Sequence, residues 1–218
     1  ARQDVRFLRS FDLKAILIAC GTVSTTSLPT LQRENDLPMV GVVEPTCRRA
    51  VDMTANKKVG LIATLASVRS GVYEKTIATL DPEIQVYAKA CPLFVPLVEN
   101  GRFQPGDPVI EIVAREYLEE MRSTDMDTLI LGCTHYPLLT DIIGRIMGPG
   151  VTLISAGEES AYELKRTLKA RDLLADPSRS GDATYYVSDR VEDFEKIAAW
   201  FLQEDLHHEA NQIDIDRY

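Results

Sequence analysis

Seven short apolar runs separated by amphipathic stretches constrain this chain more than any other feature. They are AILIAC (15–20), MVGVV (39–43), VGLIAT (59–64), IQVYA (84–88), TLILGC (128–133), VTLIS (151–155) and TYYVS (184–188). Most are nearly continuous rather than alternating, as expected of strands covered on both faces in a parallel sheet. Helical patterns fall between them. SVRSGVYEKTIATL (67–80) brings Val68, Val72, Ile77 and Leu80 towards one face. DPVIEIVAREYLEEMRS (107–123) does the same with Val109, Ile112, Val113, Tyr117 and Leu118, behind an Asp-Pro start signal. Two more helices are expected over 158–171 and 191–203. Strand alternating with helix predicts an α/β fold with mostly parallel sheets.

The start of the chain departs from this pattern. Asp4 to Arg9 read as the last turns of an amphipathic helix, followed at once by a strand, whereas an α/β domain usually opens on a strand. The expectation is that the natural protein has further sequence before Ala1.

Composition narrows the function. The net charge of −9 argues against nucleic acid as the main partner. No apolar run approaches the roughly 18 residues of a membrane span, and ARQDVRFLRS has no signal-peptide design. Cys20, Cys47, Cys91 and Cys133 lie far apart with no CxxC pair. That spacing favours reduced thiols in a cytoplasmic protein over a disulfide framework or a metal site.

Two of those cysteines share a context. AILIACGTVSTTS and TLILGCTHYPLLT each show an apolar strand, a small residue (Ala19 or Gly132), a cysteine, and a threonine within two positions. Loops leaving the carboxyl ends of such strands line ligand crevices. Two units facing one another would present Cys20 and Cys133 to opposite sides of a bound molecule. Inverting a carbon centre needs such a pair, one group removing a proton and the other returning one to the opposite face. A thiol suits the work because its ordinary pKa, about 8.5, lies within reach of neutrality. Free cysteine is also among the most buried residues and packs as a small hydrophobe, so inert thiols are the competing reading. Cys47 and Cys91 lack the shared context and are expected to be packing residues. His135, two residues after Cys133, is either a proton carrier or a structural loop histidine. His207 and His208, in an acidic tail, are expected to be solvated. A cysteine hydrolase would need one thiol with a base and would leave the second strand-end thiol unexplained.

These residues, with VGVVEP, SGVYEK, CPLFVPLVE, LGCTHYPLL, GPGVTLI and the closing IDIDRY, make the chain resemble the cofactor-independent aspartate/glutamate racemase family, and its glutamate-specific members most. The likeness runs over essentially the whole chain. It implies two similar α/β domains with the active site in the cleft between them, and no cofactor, neither pyridoxal phosphate nor metal. The domains expected are 1–55 with 157–218, and 56–156. It implies interconversion of L- and D-glutamate by thiolate and thiol, D-glutamate for peptidoglycan, and a possible homodimer. Cys20 and Cys133 match the catalytic cysteines. Thr22, Thr134, Thr64 and Ser67 match substrate-facing hydroxyls, the last two also open to a loop-capping role. His135 matches a residue assisting the second thiol and contacting substrate. Glu99 matches a glutamate near the site, with a solvated loop carboxylate as the alternative. Aspartate or another amino acid as substrate, or a non-catalytic binding role, remain the alternatives.

Three departures stand out. The family usually has Cys-Asn-Thr where this chain has Cys20-Gly21-Thr22, so Gly21 can offer substrate only its backbone N–H. EPTC replaces the common Glu-Pro-Gly-Ala, and ISAG (154–157) the usual Asp-Ser-Gly. The family also carries an Asp-Ser turn and a tyrosine loop ahead of the first cysteine. Residues 1–218 alone are therefore expected not to racemise glutamate, and detectable racemisation by them would overturn that expectation.

Overall fold

The computed structural model describes residues 1–204, 206 and 210–218, so His207 and His208 lie outside the described residues. In chain order the elements are α1 (Arg2–Leu8), β1 (Ile16–Ile18), α2 (Gly21–Thr26), α3 (Leu28–Glu34), β2 (Met39–Gly41), α4 (Val43–Met53), β3 (Lys58–Ala63), α5 (Leu65–Ser70), α6 (Val72–Leu80), β4 (Gln85–Ala90), α7 (Phe94–Glu99), α8 (Pro108–Arg122), β5 (Thr128–Leu131), α9 (Thr140–Met147), β6 (Thr152–Ser155), α10 (Ala156–Ala170), β7 (Tyr185–Val187), α11 (Val191–Leu202) and β8 (Ala210–Gln212). Every strand pairing is parallel, as the unbroken apolar runs imply. The chain divides into a larger unit, Lys14–Arg171, and a smaller one formed by Ala1–Leu13 with Asp172–Tyr218.

In the larger unit β4, β3, β5 and β6 lie in that order in one sheet, and β1 pairs with β2 in another. The interior of the four-stranded sheet is apolar on both faces. Val59, Leu61, Ile62, Leu129 and Ile130 are completely enclosed, with Tyr73 and Ile77 of α6 packed in the same core. Cys47 on α4 is part of that core too, so EPTC is a packing change, as the sequence implied.

Helix boundaries follow local chemistry. Asp107 caps α8 by accepting from the Val109 N–H (2.9 Å), with Pro108 in the first turn. Ser155 of ISAG caps α10 by accepting from the Glu158 N–H at 3.4 Å. The helix expected over 67–80 is two helices, broken where Gly71 takes the left-handed conformation, φ +62°. Periodicity alone misses that break because apolar positions continue in step across it. Helices α2, α3, α4, α7 and α9 were not anticipated. Most are short, and α2, GTVSTT, is rich in threonine and serine rather than in helix formers.

The smaller unit holds α1, α11 and the β7–β8 pair. Phe7 meets Phe11, Tyr186 and Tyr218 edge-on, with ring centroids 5.0–5.3 Å apart. Trp200, the single tryptophan, lies on α11 with the Lys196 ammonium 5.6 Å from its ring centre. Strand β8 lies in the weakly patterned tail, where the sequence predicted nothing.

Gly71 offers a clean test of backbone conformation, because a Cβ there would meet only the Lys75 Cε, at 3.9 Å. Gly71→Ala should lower unfolding free energy by about 1–2 kcal/mol, the cost of a left-handed L-residue, measured by urea denaturation.

Candidate active site

The four-stranded sheet has a switch point. From β3 the chain passes to β4 on one side, then returns to β5 on the other side of β3. Beyond the carboxyl ends of two strands whose connections diverge, a crevice opens. Ile62 pairs with Leu131, and the Gly132 N–H donates to the Ile62 carbonyl at 2.8 Å. The loops that start at Thr64 and Cys133 therefore leave side by side.

Cys133 sits at the start of the β5 loop, half-buried, with its Sγ 3.8 Å from Nδ1 of His135. Nε2 of His135 lies 3.0 Å from a Glu99 carboxylate oxygen at the end of α7. A carboxylate only accepts, so Nε2 donates to Glu99, and in the neutral form of the ring Nδ1 is then the acceptor that faces the Cys133 thiol. The Thr134 hydroxyl lies 3.3 Å from the same Nδ1. Burial pushes the Cys133 thiol above its ordinary value. The His135 backbone N–H, the Thr134 hydroxyl and the Thr134 N–H oppose that rise, while charge on Cys20 adds to it. The loop is anchored from below. Tyr136 and Leu139 of the same motif are completely buried, the Tyr136 hydroxyl donates to the Cys91 carbonyl at 3.2 Å, and its ring stands on Phe94.

Cys20, exposed, caps the first turn of α2 at the end of β1. Thr22, two residues on in the same turn, shares a 2.9 Å hydrogen bond with Thr64, whose hydroxyl contacts Ser67 at 3.1 Å and accepts the Ser67 N–H at 3.3 Å. Thr64 is thus both the cap of α5 and the link to the Cys20 turn. Ser67 is completely buried, which favours its capping role. Gly21 is buried and lies against the carbonyl of Gly132. The residue after one cysteine thereby touches the residue before the other.

All the site residues read from the sequence fall in the larger unit, in two connected groups: Cys20, Gly21, Thr22, Thr64 and Ser67, and Cys133, Thr134, His135 and Glu99. Sequence reasoning missed Tyr73. It is fully enclosed on α6, and among the described residues its hydroxyl has no hydrogen-bond partner. Burial, then the fields of Cys47, Cys133 and Cys20, pushes its phenol above the usual range. Its place in SGVYEK looked like ordinary helix packing, and no pattern in the sequence distinguished it. The other two thiols are closed off. Burial raises Cys47, and burial raises Cys91 to about 12. Among the described residues no group of three His, Cys, Asp or Glu converges as a metal would need. No described helix is long and apolar enough to cross a membrane.

A model of the Asp/Glu/hydantoin racemase family matches residues 2–163. The chain is 41% identical over 196 residues to a glutamate racemase of Geobacter metallireducens, covering 90% of this chain and 72% of that protein. It superposes on a glutamate racemase isoform from Bacillus anthracis with TM-score 0.91 and 35% identity, over 98% of this chain and 78% of that one. The glutamate racemase of Francisella tularensis, solved in complex with D-glutamate, gives TM-score 0.88 and 31% identity over 99% and 79% of the two chains.

Because burial raises the Cys133 thiol, its alkylation by iodoacetamide should climb steeply with pH only above the ordinary thiol range. Cys47 and Cys91 should stay unmodified in the folded protein. Peptide mass mapping across a pH series checks both expectations.

Proposed function

The chain belongs to the Asp/Glu/hydantoin racemase family, and on that premise we propose that it is a glutamate racemase working by two-base proton transfer between thiols. The observation that carries the reading is the backbone contact of Gly21 with Gly132, which brings the turn of an exposed cysteine against that of a half-buried one. Cys20 and Cys133 address opposite faces of the α-carbon. In one direction the Cys133 thiolate takes the α-proton, the electron pair stays on the substrate carbon, and the Cys20 thiol returns a proton to the other face. In the reverse direction the roles exchange.

The neighbours of Cys133 explain how a raised thiol becomes a base. Neutral His135 accepts the S–H proton at Nδ1, and the Glu99 carboxylate at Nε2 steadies the imidazolium that results. The His135 backbone N–H and the Thr134 hydroxyl hold the thiolate. In the resting protein at neutral pH, Cys133 is therefore a thiol, ready as proton donor. Its service as base grows as pH rises towards its elevated pKa. A thiol and a thiolate complete the acid–base pair, so the reading calls on neither pyridoxal phosphate nor a metal. Thr22, Thr64, Thr134 and the Gly21 N–H are the substrate contacts in this reading, with Ser67 holding Thr64.

The same reading places the protein in the cytoplasm, supplying D-glutamate to peptidoglycan, as a homodimer. It places the catalytic cleft between two similar domains, 1–55 with 157–218, and 56–156. An aspartate racemase is the second reading, favoured by Gly21, which removes the side-chain amide the family usually presents.

The test is α-deuterium incorporation from D₂O by the full-length protein, supplied with each enantiomer of glutamate and of aspartate. Glutamate should exchange and invert faster. Cys20→Ser and Cys133→Ser should each abolish inversion, and dependence on only one cysteine would sink the two-base reading. His135→Asn should lower kcat about 10²-fold, the lower end of what a positioned acid–base group contributes. Since enantiomers have equal free energy in water, kcat/KM must fall equally in both directions. Steady-state kinetics followed by circular dichroism checks this.

A further inference from the structure

Gly21 has no side chain, and the space a side chain would need is already filled. A Cβ built there would lie 2.6 Å from the carbonyl oxygen of Gly132 and 3.5 Å from the Ser67 hydroxyl. The first separation is far inside van der Waals contact, and the obstructing atom is backbone. Rotating a side chain cannot relieve it. Gly132 is held just as firmly from the other side. A Cβ on it would lie 3.0 Å from the Ile62 carbonyl oxygen and 3.1 Å from the Ala63 Cβ, and its N–H is bonded into the sheet at 2.8 Å. The Gly132 carbonyl is thus a fixed stop at the end of β5, and the first turn of α2 rests on it.

The residues on either side of this contact are the two thiols. Cys20 immediately precedes Gly21, and Cys133 immediately follows Gly132. Widening the contact moves one sulfur relative to the other by a similar amount, with no intervening flexible segment to absorb it. The Thr22–Thr64 hydrogen bond, 2.9 Å, braces the same turn one residue further on and would stretch along with it. Gly41 and Gly60 would also be crowded, but by the side chains of Leu28 and Met126 rather than by backbone. Gly106, Gly148 and Gly150 would place a Cβ in open space.

We propose that Gly21 is a positioning residue, and that its backbone contact with Gly132 sets the separation of the Cys20 and Cys133 sulfurs across the substrate. This rests on the racemase reading of the site and adds to it what the glycine does. The asparagine usual in the family would not improve this chain, because the turn around Cys20 is seated closer than any Cβ allows. Proton transfer falls steeply with distance, and a misplacement of about 1 Å can cost 10²-fold in rate.

The full-length protein and its Gly21→Ala variant are compared in D₂O with each enantiomer of glutamate, well below the variant's melting temperature. The alanine adds one methyl group and no polar atom. In the variant kcat for inversion should fall 10-fold or more with KM changing less than about 3-fold. With Cys20 displaced and Cys133 in place, the enantiomer whose proton Cys133 removes should still exchange deuterium with retention, because Cys133 takes the proton, its S–H exchanges with D₂O, and the resulting S–D returns a deuteron to the same face. The other enantiomer should lose exchange and inversion together. Damage to the fold would reduce exchange of both enantiomers alike. Gly21→Asn, a residue the family accommodates at this place, is the second variant should Gly21→Ala fail to fold, and the same asymmetry is expected. If the parent protein racemises glutamate and a folded variant keeps its turnover, or loses exchange of both enantiomers equally, the positioning role is wrong. If the parent protein neither exchanges nor inverts glutamate, the racemase reading itself has failed.

Discussion

Parallel pairing of β3 with β5 decides where reactive groups can stand in this molecule. The two strands run in one direction from the core, Val59 opposite Thr128 and Ile62 opposite Leu131, so their loops emerge at the same level on the same edge. β4 attaches on the far side of β3, so the connections diverge beyond the ends of β3 and β5, the place where sheets of this kind bind ligands. Thr64 and Ser67 leave one strand there, Cys133, Thr134 and His135 leave the other, and Glu99 comes in from α7. A one-residue slip in this ladder would exchange the two packed faces of β5 and undo the fit of both. It would also remove the Gly132 stop. The Val59–Ala63 and Leu129–Leu131 runs, enclosed on both faces, oppose such a slip strongly.

Two opposed effects act on Cys133, and their balance is the chemistry of the site. Removal from water favours the neutral thiol, while the His135 N–H, the Thr134 hydroxyl and the Thr134 N–H favour the thiolate. Burial wins in the resting protein. In the proposed two-base reading that outcome suits a pair of groups that hold opposite protonation states, since two neighbouring thiolates would repel. In the two-base reading His135 is the side chain that reverses the balance, because its Nε2 faces Glu99 and its Nδ1 faces the sulfur. The fold thus tunes one thiol by enclosure and leaves the other, Cys20, open at the start of a short helix.

Much of this could be read in the amino acids, for physical reasons that differ from place to place. Among the described residues, seven of the eight strands, β1 to β7, lie within the apolar runs or extend them by one or two residues, because continuous burial in a parallel sheet leaves an unambiguous trace. The doubled setting of Cys20 and Cys133 was visible because strand ends and glycine turns are local patterns. Gly71 was not recognised as a break, since a left-handed residue need not interrupt hydrophobic spacing. The roles of Tyr73 and Tyr136 were hidden, because one aromatic ring in a helix pattern looks like another until its hydroxyl is located. Gly21 looked like a loss, a missing amide. Only the position of the Gly132 carbonyl shows what the absent side chain makes room for, and that position depends on a residue more than a hundred places away in sequence.

The solitary indole on α11 makes the two units optically separable. Trp200 belongs to the smaller unit, whereas Tyr73 and Tyr136 are enclosed in the larger one. Red-edge emission from Trp200 follows melting of the smaller unit, whereas phenolic absorbance sums over both, with Tyr73, Tyr87, Tyr117, Tyr136 and Tyr162 in the larger unit and Tyr185, Tyr186 and Tyr218 in the smaller. A denaturation curve recorded at both wavelengths therefore distinguishes joint collapse from stepwise loss without a label being attached.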